Sequence, residues 1–518
     1  MKRFFVAVAA LAVTLSASAQ SKSFTLGKWV EVENAILKEL NRSYVDSLEV
    51  GRIERAGVNA KLEALDPYTV YVPEEEQEDF QMMLSNTYGG IGAIIYKPDV
   101  NGNVIINEPY AGSPAAKAGL HCGDEIEAID GVTTHGLTSQ QSSDRMRGKP
   151  GTQVVFRVKK LRGETIDVPV TRERIVLPSL SYVGMLNEKD GYILLDKFTD
   201  GVGQGIRDAY HTLKAQGMQR LVLDLRGNGG GLMNEAVNIV SLFVPKGSVV
   251  VSAKGRAAGS AATYKTTTDP VDTEIPILVL VDSGSASASE IVSGALQDYD
   301  RATVMGRRTY GKGLVQSMRP LPYNGTMKVT TAKYYTPSGR CVQAIDYSNR
   351  HEDGSLDKDA NGGIAPDIEA AGHPFSRPTV SLVYYDIIGS YAIEYFLAHE
   401  KIDRDFHLTD AEYEEFVKYA AAQDFDARTA AQTALDQMIK AAQAEDLYDN
   451  YKDEIEALQK KVNMDKETVL RAKKAEILPL VEQEIVTCYY FNRAAVPVAL
   501  RYDEQLREAV DKWLQNGK

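Results

Sequence analysis

Two residues have side chains and neighbours suited to acyl transfer: Ser287 and Lys312. Ser287 lies in VLVDSGSASASEI, residues 279–291, a serine-dense stretch between an apolar run and a helix-like run. A serine where a strand ends and a helix starts is well placed for nucleophilic attack, because helix N-terminal amides stabilise developing negative charge. Ser287 and Glu290 also have the S-x-x-E spacing of a capping box, which by itself asks no more of Ser287 than to cap a helix. A nucleophilic serine needs a proton acceptor, and the usual partner, histidine, is distant: His211 and His351 are the nearest in sequence. RRTYGKGLVQSMRP offers another acceptor in Lys312. Its neighbours Gly311 and Gly313 suggest a shaped backbone rather than a solvated charge run, and Gln316, four residues on, would share its face on a helix or a strand. A lysine acts as general base only where its surroundings leave it neutral. A surface lysine is the bland alternative.

A second strand-to-helix turn, LDLRGNGGGLMNEA, sets the glycines Gly229 to Gly231 before a helix. Glycine lets backbone amides approach a ligand closely. Neither the phosphate-loop pattern nor the dinucleotide glycine fingerprint fits, so an oxyanion-binding turn competes with a phosphate cradle. There is no G-x-S-x-G elbow. The one S-x-x-K, Ser355 to Lys358, falls in an acidic polar loop.

The elements around these residues define an α/β and α+β multidomain chain. At 518 residues two to four domains are expected. Residues 1–19 read as a signal peptide: basic Lys2 and Arg3, an apolar run from Phe4 to Leu15, and Ala17-Ser18-Ala19 as a cleavage site. Residues 20–85 read as a helical region. Residues 86–174 hold short strands (GAIIY, GNVIINEPY, DEIEAIDG, TQVVFRVKK and TIDVPVT, the last two around a turn at Arg162-Gly163) and one helix over 138–146. Residues 175–370 alternate strand and helix, the pattern of βαβ units around a parallel sheet. PILVLVD is continuously apolar, as a buried strand is. Residues 371–518 read as helical, and Asp386 and Glu394 argue against a membrane span in the apolar run VSLVYYDIIGSYAIEYFLA. The formal charge is −13 and removal of the leader makes it more negative, which excludes nucleic-acid binding by electrostatics. Cys122, Cys341 and Cys488 match no metal spacing, read as buried apolar residues, and as an odd set leave one thiol free in an oxidising compartment.

SGSASASEIVSGALQDYDRATVMGRRTYGKGLVQ resembles the active-site block of the C-terminal processing peptidases, or tail-specific proteases. The resemblance implies Ser287 as nucleophile, Lys312 as general base and Gln316 as the residue that orients the lysine. DLRGNGGGL resembles the family's oxyanion segment, which implies Gly230 or Gly231 with the Ala288 amide in that role. LDPYTVY is similar to the family's N-terminal segment, and YYTPSGRCVQ and GIAPDIE to its closing segments. YGGIGAIIY through SPAAKAGLHCGDEIEAIDG looks like its PDZ domain, with Gly89, Gly90, Ile91 and Gly92 as a nest of amides for a peptide carboxylate. The implied core is ClpP/crotonase-like. The resemblance covers about residues 28–370. Asp282 departs from it, since asparagine is common there, with no loss of activity expected.

The reading that follows is an exported serine endopeptidase, periplasmic, secreted or envelope-associated, that cuts proteins near free C-termini. It needs no cofactor or metal, and the C-terminal helices offer a surface for homo-oligomerisation. A catalytically silent PDZ scaffold is the alternative, disfavoured by the intact Ser, Lys and Gln set. An acyl-CoA enzyme on a similar scaffold is disfavoured by the PDZ segment and the leader.

Overall fold

The computed structural model describes residues 2–97, 101–161, 163–257, 259–370, 372 and 374–515. Of the proposed leader, Met1 lies outside the described residues and only the helical backbone of the rest is described. Arg162 of the expected turn is likewise outside them.

The chain forms two compact units, 1–74 with 316–330, and 75–315 with 331–518. In the smaller unit, helices Lys2–Ser43 and Val50–Glu63 precede a short strand, Val70–Val72, that pairs antiparallel with residues 326–328. Residues 20–85 read in sequence as a helical region, without this strand. The strand forms because its partner is supplied from far along the chain, which no local pattern announces. Asp66 shapes the turn before it, accepting from the backbone N–H groups of Tyr68 and Thr69, both at 2.8 Å.

In the larger unit, five strands follow one another in a sheet: Ala93–Tyr96, Val104–Pro109, Glu125–Ile129, Gln153–Lys159 and Thr165–Thr171. Alternate residues turn inward, so Val154, Phe156 and Val158 join Val104, Ile106 and Ile126 in one core. Ala93–Tyr96 is an edge strand, paired on one side only among the described residues. The helix Ser139–Met146 beside it starts at Thr138 through a capping box with Gln141, as expected.

A second sheet runs Leu180–Met185, Asp190–Leu195, Arg220–Asp224, Ile277–Val281, Thr303–Gly306 and Ile368–Glu369, all parallel after the first. Helices Val202–Ala215, Met233–Val240 and Ala288–Asp298 close one face over Leu221, Leu223, Val279 and Val281. The intervening residues Val222, Leu278 and Leu280 face the other way, onto Leu506, Ala509 and Trp513 of the helix Glu504–Gln515. That helix reads in sequence as ordinary and amphipathic; what it covers is visible only in three dimensions. Strands Val249–Lys254 and Ala262–Lys265 interrupt the expected strand–helix alternation as an antiparallel pair.

Most of the helices after 376 pack around Leu382, Tyr391, Tyr413, Phe416, Ile477 and Val481. The apolar run there is broken at Asp386, whose φ of 52° separates helices Arg377–Tyr384 and Ile387–Ala398. Among the described residues no helix is long and apolar enough to cross a membrane.

Candidate active site

The strand Ile277–Val281 delivers the serine-rich turn to the C-terminal edge of a parallel sheet, where open α/β sheets present their ligand sites. Two of the four serines are committed. Ser285 Oγ donates to the Leu225 carbonyl at 2.7 Å and Ser289 Oγ to the Asn228 carbonyl at 2.8 Å, both fully buried. Ser283 is exposed in the turn. Ser287 is half-buried, with φ 57° and ψ −112°, a strained conformation for a residue with a side chain. Such strain at a strand-to-helix turn lifts a nucleophilic hydroxyl above the backbone. Capping-box geometry links Ser287 to Glu290, but its short bonds run through the backbone: the Ser287 N–H donates to Glu290 Oε2 at 2.8 Å, and the Glu290 N–H to the Ser287 carbonyl at 2.9 Å.

Glu290 does more than cap. Its carboxylate is completely buried and accepts four donors: Ser287 N–H and Lys312 N–H on Oε2, Thr309 Oγ–H and Gly311 N–H on Oε1. One side chain thus fixes the serine turn and the lysine segment to each other. Burial raises its pKa, and the four donors offset this in part. The Tyr334 hydroxyl makes a second tie, lying within hydrogen-bond reach of the carbonyl oxygens of Ser287 and Lys312.

Lys312 is half-buried and precedes the strand Leu314–Pro320, so it belongs to neither a helix nor a strand, contrary to the regular face the spacing suggests. Its flanking glycines are required by close backbone approach. A Cβ at Gly313 would stand 2.3 Å from the Gln343 nitrogen, and one at Gly311 2.4 Å from the Ala344 Cβ. Gln316 belongs to the smaller unit. There its amide nitrogen donates to the Thr330 hydroxyl at 3.4 Å, and that hydroxyl donates to Asp66 at 3.2 Å. Asp66 and Thr69 of LDPYTVY therefore hold Thr330, against which the Gln316 amide rests, Thr69 through its Oγ accepting from the Thr330 N–H.

The glycine turn is strapped to the serine turn. Asp282 Oδ1 accepts from the N–H groups of Gly227, Gly284 and Ser285, at 2.9, 2.9 and 3.1 Å. Gly230 lies so near that a Cβ on it would be 2.7 Å from Ser287 Cβ and 2.9 Å from the Ala288 nitrogen. Its own N–H donates to Asn228 Oδ1 at 2.8 Å. The N–H groups of Gly231 and of Ala288, the first residue of the helix, have no acceptor among the described residues. Arg226 anchors this turn from behind. It pairs with Asp224 and, at 2.6 Å, with Asp503, and donates to Gln505 at 3.1 Å, so the end of the helical region bears on the glycine turn.

In the strand-rich module, Gly89 and Gly90 belong to the strand Thr87–Gly90, paired with Glu173–Val176. A Cβ at Gly89 would stand 2.2 Å from the Gly148 carbonyl oxygen, and one at Gly90 2.7 Å from the Tyr88 ring, so both glycines serve packing. The N–H groups of Ile91 and Gly92 have no acceptor among the described residues, and they lead into the open-edged strand Ala93–Tyr96.

Glu290, Tyr334, Asn228, Asp503 and Gln505 are the residues that sequence reasoning missed. Glu290 showed only its capping spacing, and the others gave no local signal.

This arrangement, a serine turn at the end of a parallel sheet joined to a lysine segment and a glycine turn, defines a serine peptidase with an attached PDZ domain. The chain belongs to peptidase family S41, whose model matches residues 189–370, while a PDZ model matches 105–160. A third model, the C-terminal helical domain of probable PDZ-proteases, matches 378–512. The carboxy-terminal-processing protease of Bartonella bacilliformis is 33% identical over 351 residues, 66% of this chain and 80% of that protein. A probable CtpA-like serine protease of Staphylococcus aureus is 33% identical over 314 residues, 60% of this chain and 62% of that protein. Among solved structures, the photosystem II D1 C-terminal processing protease is 26% identical and covers 64% of this chain and 90% of its own, at a TM-score of 0.36.

Proposed function

We propose that this chain is an exported, periplasmic C-terminal processing endopeptidase working through a Ser287–Lys312 dyad. Neutral Lys312 takes the Ser287 hydroxyl proton as Oγ attacks the scissile carbonyl. The Gly231 and Ala288 amides receive the oxyanion, the lysine returns the proton to the leaving amine, and water then releases the acyl-enzyme. The PDZ domain binds the substrate's terminal carboxylate at the Ile91 and Gly92 amides, and the chain behind it adds to the open edge of Ala93–Tyr96. The observation that carries this reading is the single carboxylate of Glu290 joining the backbones of Ser287 and Lys312.

The test incubates the protein and its Ser287→Ala form with unfolded proteins whose C-termini are free or amidated, and maps the products by mass spectrometry. Cleavage that requires Ser287 and prefers free ends is expected. Equal cutting of free and amidated substrates rejects end capture, and cutting by Ser287→Ala rejects the nucleophile. Cell fractionation tests export separately.

A further inference from the structure

Cys122 and Cys488 are 366 residues apart in sequence, and their sulfur atoms lie 2.7 Å apart. Cys122 comes from the PDZ domain, between Leu120 and the strand Glu125–Ile129; Cys488 comes from the helix Lys474–Tyr490 of the helical region. Both are buried, and Cys122 is packed into the core of the helical region rather than that of its own domain. The approach around them is close. A Cβ on the neighbouring Gly123 would stand 3.0 Å from Ile393 of the helix Ile387–Ala398. A second tie lies nearby, where Glu108 of the PDZ domain accepts from the Asn492 N–H at 2.8 Å. The two sulfurs are not bonded to each other in this structure. Their sulfurs are nonetheless nearer than two unbonded sulfurs rest, and a small side-chain adjustment separates them from the bond length of about 2.05 Å.

We propose that Cys122 and Cys488 form a disulfide that locks the PDZ domain onto the helical region. The inference rests on the export reading, because such bonds persist in oxidising compartments. A disulfide-bearing thiol oxidant supplies the chemistry. One cysteine thiolate attacks the oxidant's disulfide and forms a mixed disulfide, and the second thiolate then displaces the oxidant's sulfur. The cysteine pair loses two protons and two electrons, and the oxidant becomes a dithiol. The hydrogen bond with the Cys122 thiol, and then burial, hold the Cys488 pKa far above the ordinary range, so its thiolate is scarce in the folded chain. Oxidation therefore belongs to folding, before the PDZ domain seats, and the finished bond is shielded from external reductant. Cys341, more exposed and bridged to Tyr335, remains as the odd thiol.

The experiment refolds the full chain in a buffer of oxidised and reduced glutathione, traps free thiols by alkylation and maps its peptides without reduction. A linked peptide pair carrying Cys122 and Cys488, with only Cys341 alkylated, is expected. Three alkylated cysteines, or a bond involving Cys341, overturn the proposal. Cys341→Ser should keep the bond. Cys122→Ser and Cys488→Ser should each lose it and lower Tm relative to the oxidised chain by the same amount, on the order of 5 °C. Unchanged Tm in both would show that the bond constrains nothing, which rejects the lock. The same map on the chain trapped in its own cells separates the two readings. Reduced thiols in an exported fraction overturn the disulfide, whereas a cytosolic chain overturns the export reading.

Discussion

The backbone N–H groups of Ser287 and Lys312 donate to the same oxygen atom, Oε2 of Glu290, at 2.8 and 2.9 Å. The two residues are tied at the backbone, so the proposed nucleophile and base are registered before either side chain moves. A pair organised in this way need not be held together by substrate.

Ser287→Ala and Lys312→Ala should each lower kcat by at least ~10³-fold while leaving circular dichroism and Tm unchanged. Members of one catalytic unit act non-additively, so the double variant should be no worse than either single one. Gln316→Ala should keep part of the activity. Near-wild-type turnover by Lys312→Ala would reject the lysine as base.

Glu290→Gln replaces one acceptor oxygen by an amide that faces backbone donors, leaving buried groups unsatisfied at about 1–3 kcal/mol each. Both kcat and stability should fall. The pKa of Glu290 is raised by burial, so the native chain holds this proton more tightly than the unfolded one. Stability from this group is thus fullest below the unfolded value of about 4.3 and is lost as pH rises through the folded value. The stability margin of the wild type over Glu290→Gln should narrow as pH rises. Denaturant unfolding across that range checks the sign, and a widening margin would show that the four donors outweigh burial.

Asp503→Ala removes one of the carboxylates on Arg226 without touching any group near Ser287. The glycine turn should loosen, lowering kcat about tenfold, a barrier change of about 1.4 kcal/mol, with little change in KM. An increase in KM alone would mean that Asp503 supports substrate binding instead.

Asp282→Asn should leave kcat/KM within about twofold, because all three N–H bonds to Asp282 end on Oδ1 and an amide oxygen can accept them equally. A large loss would assign the carboxylate's charge a role that the hydrogen bonds do not reveal.

Much of this site is legible in the sequence, because its residues sit in short turns bounded by strong strand and helix signals. Ile277–Val281 is continuously apolar and Ala288–Asp298 starts at an S-x-x-E, which fixes where Ser287 must lie. The parallel sheet follows from the alternation of such runs. What is not legible depends on contacts between distant segments. Val70–Val72 has too few residues to show a period, and it becomes a strand only against 326–328. Glu290 looks like a cap until Gly311 and Lys312 arrive on it. Gly89 and Gly90 read as ligand-facing, yet the Gly148 carbonyl and the Tyr88 ring account for them. In each case spacing reveals the type of residue the backbone needs but not which neighbour needs it.

Trp513 is almost fully buried on the face of the catalytic sheet formed by Val222, Leu278 and Leu280. Chains are made from the N-terminus, and earlier segments begin to fold first. The ribosome delivers Ser287 and Lys312 long before the helix Glu504–Gln515 that seals the sheet beneath them. Until then one side of the sheet is wet and Arg226 lacks Asp503. The sheet that carries the Ser287 turn is therefore dry on both faces only once this helix has docked, so the serine turn depends on a segment from the far end of the helical region.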